Sequence, residues 1–295
     1  MTGSRAQRGS CRRYAVVTPV RDEEENLARL AECLTTQTLL PERWIIVDNG
    51  SSDGTDQLAR RLAATYPWVT AASAPGEATP VPGAPIVRAF HAGLAQVHEY
   101  VDVIVKVDAD ISIDRAHFET LVTAFDDDPT LGIAGGHCYE REGDEWLPAK
   151  SNGNHVRGAV RAYRRACLEE LLPLAERTGW DTIDEYQAAA RGWTTATVEG
   201  LRFNHHRAVG ARDGGRFRRW KAKGSASHFV GYRPLYLVLR ALYNSRSDPA
   251  AVAMIWGFAA AAARGEPRHP DRDARALLSQ SQVIWRTVVR DLRRS

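Results

Sequence analysis

Short apolar runs alternate with amphipathic segments through the first third of the chain. Runs at 14–18, 44–48 and around Val69 have the continuous apolar character of buried strands. Between them, apolar positions recur with helical spacing over about 24–36, around Leu58 and Leu62, and over about 86–100. This alternation predicts an α/β fold, with a mostly parallel, Rossmann-like sheet flanked by helices on both faces.

The pattern is less regular beyond the apolar run at 101–107. It predicts a helix to about residue 125, a strand at 131–134 ended by Gly135 and Gly136, and a helix over 182–191 closed by Gly192. A strand at 194–198 follows, and then helices near 236–243, 250–263 and 273–292. We therefore expect a flexible N-terminus at 1–13, a main domain at 14–210, and a basic loop with a helical extension at 211–295.

Composition and charge argue against several classes of protein. A hydrophobic content of 44% with 25% charged residues is that of a folded globular chain, and the longest nearly apolar stretch, 250–263, is too short to cross a bilayer. The four cysteines are scattered, which argues against a disulfide framework or a zinc site. The first residues lack an apolar secretion signal, so we expect a cytoplasmic protein. A net charge of +3 is too small to indicate nucleic acid as a partner.

Arginines are concentrated late in the chain. Between Arg202 and Lys223, six basic residues are opposed by Asp213 alone, which indicates either a phosphate-seeking loop or a solvated basic loop. The segment 229–240 mixes aromatic, apolar and arginine residues, as a peripheral helix on the anionic inner face of a membrane does. A helix docked on the main domain, or on a second subunit of a homodimer, has the same pattern, and such docking is the favoured alternative.

Carboxylates follow the predicted strands where the strands end. Asp108 and Asp110 come directly after the apolar run at 101–107, and Thr18 and Asp48 lie at or near the ends of two earlier strands. Because ligands of parallel α/β sheets bind at the carboxyl ends of the strands, we expect these side chains to face one cleft. Two acids there can hold a hard divalent cation beside a nucleotide diphosphate, or can only cap a turn.

Three motifs, in this order, resemble those of the family 2 glycosyltransferases, which have the GT-A fold and use nucleotide sugars. Residues 17–24 resemble the opening nucleotide-binding strand and loop, 45–55 the second-strand motif, and 105–110 the metal motif. The resemblance covers roughly residues 14–210 and implies a GT-A catalytic domain there. A nucleotidylyltransferase, which has a related sheet, would carry a glycine-rich loop where Pro19 to Asp22 stand.

The resemblance assigns a donor site to these motifs. Asp48 would accept a hydrogen bond from the base, a role that suits uracil, although Asn49 stands where many relatives have a second acid. Turn formation is the alternative role of Asp48, and a helix-surface position is the alternative for Arg88. The other predicted donor-binding residues are Thr18, Pro19, Arg21 and Glu23 around the nucleoside, Arg88 and Arg207 at the diphosphate, and Asp108 at the ribose.

The same resemblance implies a metal site. Asp110 is the expected primary ligand of Mg²⁺ or Mn²⁺, and Asp108 would bind the ion through water or hold the ribose. A histidine that follows the last predicted strand would complete the metal shell, and His205 is preferred to His206. The alternative is a pair of partly exposed histidines at a strand end.

A catalytic base is also implied. Asp181 stands where the family has its catalytic aspartate, with Trp180 in place of the usual glutamate, and would remove the proton of the acceptor hydroxyl. An N-cap pair with Asp184 is the alternative role. The predicted acceptor-binding residues are His155, Arg157, Trp180 and Asp184.

These inferences predict a metal-dependent, inverting glycosyltransferase of the hexosyltransferase type. It would transfer a sugar from a nucleotide-diphosphate donor, a UDP-sugar by preference, to a hydroxyl of a glycan, glycolipid or small-molecule acceptor. Its setting would be the assembly of a surface polysaccharide or glycolipid. The alternative from another class is a non-catalytic nucleotide-sugar or glycan-binding protein that keeps the fold. The carboxylates at 108, 110 and 181 favour the enzyme.

Overall fold

The structure, a computed structural model, describes residues 13–74, 83–149, 155–206 and 215–282. Its strands are β1 (Tyr14–Val20), β2 (Arg43–Asp48), β3 (Val69–Ser73), β4 (Val103–Val107), β5 (Ile111–Ile113), β6 (Leu131–Glu142), β7 (Glu145–Pro148), β8 (Val160–Arg164) and β9 (Thr194–His205). Its helices are α1 (Glu24–Thr35), α2 (Thr55–Thr65), α3 (Ala84–Leu94), α4 (His117–Asp127), α5 (Arg165–Leu171), α6 (Trp180–Ala190), α7 (Arg216–Val230), α8 (Pro234–Ser245), α9 (Ala253–Ala263) and α10 (Arg272–Ser281), with a 3₁₀ turn (Pro249–Val252) before α9. The predicted flexible segment 1–13 lies, except for Arg13, outside the described residues.

The strands form one sheet in the order β3-β2-β1-β4-β8-β6-β9-β5, with β7 paired to β6. β3, β2, β1 and β4 run parallel, as the alternation of strands and helices predicts. Beyond β4 the sheet is mixed, because β8 is antiparallel to both β4 and β6, whereas β6 and β9 run parallel. The parallel character is therefore strongest in the first half of the chain.

Successive residues of the central strands supply two separate cores, one on each face of the sheet. On β1, Val16 packs with the apolar faces of α1 and α4, represented by Leu30 and Phe118. Its neighbour Val17 packs on the opposite side with Phe90 of α3. This alternation explains the unbroken apolar runs, since both faces of a strand covered by helices are buried.

The chain after β9 forms a helical extension that packs on the main domain. α10 lies against α6, where Leu278 and Ile183 belong to one buried cluster. α7 and α9 cross so closely that a Cβ added to Gly257 would lie 2.0 Å from the carbonyl oxygen of Lys221. Within the described residues, every helix is too short or too polar to cross a membrane.

The predicted ends of two elements, the strand at 131–134 and the helix over about 86–100, differ from the observed ones. β6 continues through Gly135 and Gly136, although the glycine pair predicts a break. Neighbouring strands pass close there, and a Cβ on Gly135 would lie 2.7 Å from the carbonyl oxygen of Val160. α3 ends at Leu94, six residues before the predicted end, and the predicted end of the last helix at 292 lies outside the described residues.

The predicted basic loop is partly wrong, because α7 begins at Arg216 and includes four of its basic residues. The sequence gives little apolar periodicity here, because the first half of the helix is basic and a glycine, Gly224, makes the close contact with Met254 of α9. α6 begins at Trp180, two residues before the prediction, so that Asp181 lies inside its first turn.

Candidate active site

The candidate site lies at the edge of the sheet where the parallel strands end. Val20 of β1 pairs with Asp48 of β2, so these two strands finish level with each other. Asp108 follows β4, and its backbone N–H donates to the carbonyl oxygen of Ala159 at 2.8 Å. The three strand ends therefore form one continuous rim, as expected for parallel α/β sheets.

Asp110 and His205 meet at this rim. Ile111, which follows Asp110, pairs with His205 across β5 and β9, and an oxygen of Asp110 lies 3.3 Å from Nε2 of His205. His206 points elsewhere, because its Nε2 lies 2.8 Å from Oγ of Ser112. The alternation of side chains along β9 therefore places His205 beside Asp110 and turns His206 away.

His205 is largely enclosed by groups that favour a positive charge. Burial disfavours the protonated ring, but hydrogen bonds to Asp110 and Cys138 and the charges of the nearby aspartates raise the pKa of His205 to about 10. Ligand atoms of Cys138, Glu140 and His205 lie within 4.8 Å of one another. Nδ1 of His205 is buried without a hydrogen-bond partner in the described part of the chain. This arrangement of donor atoms fits a divalent cation.

Asp108 is held by Lys106, a residue that the sequence analysis did not single out. The Lys106 side chain is 2% exposed, and its Nζ donates to the carboxylate of Asp108 and, at 2.6 Å, to the carbonyl oxygen of Gly158. Burial raises the pKa of the Asp108 carboxyl, Lys106 opposes the rise, and Asp110 adds to it. A lysine inside the otherwise apolar strand β4 is the sequence feature that indicates a buried ion pair.

Asp181 lies on the other side of Gly158. It is the second residue of α6, and its carboxylate is 3.9 Å from Nε2 of His155. A Cβ on Gly158 would lie 3.3 Å from Asp181 and 2.9 Å from the ring of Trp180, so glycine is required for this close approach. Asp108 and Asp181 therefore flank one segment of backbone, and Asp181 lies in the first turn of α6.

Asp184 does not face the cleft, which corrects its predicted role in acceptor binding. The residue is 1% exposed, and its carboxylate accepts from Arg161 at 2.6 Å and from the hydroxyl of Tyr163 at 2.6 Å. Arg161 is fully buried and also contacts Glu185 at 3.2 Å. Asp184 is thus the anion of a buried network that anchors α6 to β8. Its burial also excludes the predicted N-cap pair, since the cap residue is Gly179.

Thr18 is the second predicted site residue that the structure removes from the cleft. Its side chain is buried in the core, where its hydroxyl accepts from the indole N–H of Trp44 at 3.0 Å. Pro19 is the next residue of β1, is partly exposed and has its side chain on the opposite face of the sheet. Pro19 therefore replaces Thr18 as the β1 side chain that can line a ligand.

The other predicted binding residues within the described part of the chain already have partners. Asp48 accepts from the backbone N–H of Gly50 at 3.1 Å and from Ser51, as the predicted turn role requires. Glu23 accepts from Asn26 at 2.6 Å. Arg21 is exposed beside Asp22, Arg88 pairs with Glu176 on the surface of α3, and Arg157 pairs with Glu140. Arg207 lies outside the described residues.

A mixed α/β sheet with acidic residues at the carboxyl ends of its strands and a histidine beside them is typical of proteins with the GT-A fold. Consistent with this class, a family model described as "Glycosyl transferase family 2" matches residues 15–233. The chain belongs to this family and has the GT-A fold. The match extends beyond the predicted domain boundary at residue 210.

Individual relatives agree with the family. The curated protein "Glycosyltransferase AglE" of Haloferax volcanii is 37% identical over 54 residues, which is 18% of this chain and 18% of that protein. The mannosyltransferase PcManGT of Pyrobaculum calidifontis, solved with GDP-Man and Mn²⁺, is 20% identical with a TM-score of 0.56 over 92% of this chain and 80% of that one. TarS 1–349 of S. aureus, solved with UDP, is 14% identical with a TM-score of 0.55 over 73% and 64%. At these identities the two structures show the shared fold alone.

Proposed function

We propose that this protein is a metal-dependent, inverting glycosyltransferase that moves a sugar from a UDP-linked donor to an acceptor hydroxyl. The observation that carries this proposal is the 3.3 Å contact between Asp110 and His205 at the rim where β4 ends, in a chain of family 2. We also propose that the transferred sugar is a hexose and that the protein acts in the assembly of a surface glycan or glycolipid.

Asp110 and His205 would hold the cation. One carboxylate oxygen and one imidazole nitrogen suit Mn²⁺, and the nitrogen favours it over Mg²⁺, which prefers oxygen ligands. When bound, such an ion offsets the negative charge that develops on the leaving nucleoside diphosphate. The Mn²⁺ in the structure of the Pyrobaculum mannosyltransferase supports this choice. Asp108 has one oxygen on Lys106, which leaves the other for the ribose or for a water on the ion.

The donor would lie along the rim from β2 to β4. Pro19 and Glu23 border the nucleoside, and Asp48, which is buried at the end of β2, accepts from the imide N–H of uracil with a lone pair that the turn does not use. Arg21, Arg88 and Arg207 are the proposed cations for the diphosphate, because a guanidinium matches its oxygens in pairs. To bind the diphosphate, Arg88 must leave its ion pair with Glu176. Breaking this pair costs little free energy, because both side chains are partly exposed to solvent.

Asp181 would act as the base. It takes the proton of the acceptor hydroxyl while the hydroxyl oxygen bonds to the anomeric carbon and the bond from that carbon to the diphosphate oxygen breaks, with inversion. Its carboxylate is about one-third exposed, and so it can reach a substrate. His155, whose Nε2 lies 3.9 Å from the carboxylate of Asp181, and Arg157 would contact the acceptor, and Trp180, which packs on Gly158, would lie beneath it.

We further propose a cytoplasmic location with peripheral contact to an anionic membrane face. On α8 the exposed apolar side chains recur at helical spacing on one face, at Leu235, Leu239, Leu242 and Tyr243. Arg233 and Arg246 flank this face, which gives it the charge of a helix that lies on anionic lipid. Flotation with anionic vesicles tests the contact. A stable dimer in solution without flotation would instead assign the face to a second subunit.

Thermal unfolding with nucleotides tests the proposed function. UDP with Mn²⁺ should stabilise the chain more than GDP, dTDP or CDP with Mn²⁺, by about 2.7 kcal/mol at a concentration of 100 Kd. Asp110→Ala should abolish the part that depends on Mn²⁺, whereas Asp114→Ala, which removes an exposed acid nearby, should not. Equal stabilisation of both variants would refute the metal site. UDP binding without turnover on any acceptor would indicate the non-catalytic alternative.

A further inference from the structure

A second concentration of charge lies in the helical extension, in a groove between α7, α9 and the segment that precedes α6. α7 contributes Arg218 and Lys221, which are spaced so that they share one face of the helix. α9 contributes Arg264, two helical turns after Gly257. Arg177 closes the third side. The groove therefore collects four cationic side chains from three parts of the chain.

The positive charge of this groove is only partly compensated. Glu266 is the acid within reach, at 2.6 Å from Arg264 and 3.6 Å from Arg177. Arg218 and Lys221 are exposed, and neither has an ion pair or hydrogen bond in the described parts of the chain. Two of the four cations are thus available to an anionic ligand.

The walls of the groove are rigid. The helices α7 and α9 are in backbone contact where Gly257 faces Lys221. The guanidinium of Arg177 stacks on the ring of Phe229, with 4.2 Å to the centroid, and donates to Ser225 at 3.4 Å. Arg177 and the backbone of the groove are therefore held in place, and a binding site with positioned walls loses less entropy on binding than a flexible one.

The groove is close along the chain to the proposed catalytic base, Asp181. Thr178, which lines it, is three residues before Asp181, a chain separation of at most about 11 Å. The actual path is shorter, because the N–H of Trp180 bonds back to the carbonyl oxygen of Arg177 in a tight turn. A ligand with its anionic group in the groove can therefore extend toward the carboxylate that would receive the proton.

We propose that this groove binds a phosphate group carried by the acceptor, so that the acceptor is a phosphorylated molecule. Arg218 and Lys221 would bind the phosphate oxygens directly, and Arg177 would contribute its charge from the wall beside Thr178. This inference rests on the proposed function, because only a transferase has an acceptor. The binding of phosphate in the groove does not depend on catalysis. The phosphate remains attached throughout, since the transferred sugar is bonded to a separate hydroxyl.

Calorimetry with inorganic pyrophosphate tests the groove, with EDTA present so that no metal can hold phosphate at the donor site. The double variant Arg218→Gln, Lys221→Gln should raise the Kd of pyrophosphate by about tenfold. Arg61→Gln, Arg272→Gln, which removes two exposed cations from α2 and α10, should leave it unchanged. The wild-type affinity should also fall with added NaCl, because the cations are exposed. No binding by the wild type, or equal affinity of both double variants, would overturn the proposal.

Two further probes distinguish the source of the phosphate. Glucose 1-phosphate represents a soluble acceptor, and phosphatidylcholine vesicles with phosphatidylinositol, whose inositol ring has free hydroxyls, represent a lipid-linked one, with phosphatidylcholine alone as control. Binding of either probe that is weakened in the groove variant but not in the control variant supports the proposal and names the source. UDP and Mn²⁺ binding is measured in the same variants. If the wild type and all variants fail to bind UDP and Mn²⁺ but the wild type still binds phosphate, the proposed function is wrong and the phosphate site in the groove is retained.

Discussion

Lys106 of β4 is buried and forms an ion pair with the partly exposed carboxylate of Asp108, the first residue after the strand. The pair extends to the carbonyl oxygen of Gly158, the residue against which Trp180 and Asp181 pack. Through this contact the strand that carries the predicted metal motif is joined to the segment that positions the proposed base. We therefore expect Lys106 to matter both for folding and for the position of Asp108.

Lys106→Met should lower the free energy of unfolding by about 2 kcal/mol, because it removes the charged hydrogen bonds from Lys106 to Asp108 and Gly158. Urea unfolding measures the change. The double variant Lys106→Met, Asp108→Leu should recover much of this loss, since it removes both charges, but it should not recover UDP binding. A single variant as stable as the wild type would show that the ion pair contributes nothing.

His205→Gln and His206→Gln make a matched pair, because the two residues are adjacent but face opposite ways. His205→Gln should weaken Mn²⁺ binding by about tenfold or more, through loss of one proposed ligand. His206→Gln should leave it within about twofold, since His206 bonds to Ser112. Titration with Mn²⁺ followed by electron paramagnetic resonance measures both. A larger effect of the His206 change would reverse the assignment.

Asp181→Asn and Asp184→Asn separate chemistry from folding. Asp181→Asn should lower kcat by about 10² to 10⁴ with normal stability and UDP affinity, as the loss of a general base does. Asp184→Asn should instead lower the free energy of unfolding by about 3 kcal/mol, because it leaves the buried Arg161 without its principal anion. Transfer assays and urea unfolding on both variants give the comparison. Full activity of the Asp181 variant would exclude it as the base.

The buried imidazole of His117 should make the protein less stable in acid. Burial lowers the pKa of His117 from 6.5 to about 4, and its hydrogen bond to the carbonyl oxygen of Arg202 opposes the change only in part. The unfolded chain therefore binds a proton that the folded chain does not, and stability is lost as the pH falls from about 6.5 to about 4, by about 3 kcal/mol in total.

Urea unfolding at the two ends of this pH range measures the loss. In the variant His117→Leu, which keeps the position apolar, the difference between the two pH values should shrink by that amount. Burial also lowers the pKa values of His91, His206, His228 and His269, and so the test rests on the difference between the wild type and the variant. If the variant loses as much free energy of unfolding between the two pH values as the wild type does, His117 is not the group responsible.

Much of the fold follows from the sequence, because local patterns specify it. The apolar runs at 14–18 and 44–48 correspond to β1 and β2, and the predicted helix at 24–36 corresponds to α1 within one residue. The parallel pairing of these strands also follows, since strand–helix alternation leaves few other topologies. The helix α7 does not follow, because small and basic residues give it little apolar periodicity and its position depends on contact with α9.

The site could be predicted in part for the same reason. The motif order indicated the rim and the positions of Asp108, Asp110 and Asp181. The choice between His205 and His206 depends on the register of β5 against β9, a relationship between residues far apart in the chain. The cationic groove is equally non-local, since Arg177, Lys221 and Arg264 meet only after the helices pack.

The sequence by itself determined the family, the order of the strands and helices in the parallel half, and the set of polar side chains from which a site could be built. Tertiary structure decided which of them lie in the core and which remain at the rim of the sheet. Thr18 and Asp184 have the right chemistry in the right motifs, but Trp44 and Arg161 hold them inside the protein. The physical reason is that a polar side chain can be buried only where a partner satisfies it, and these partners come from distant parts of the chain.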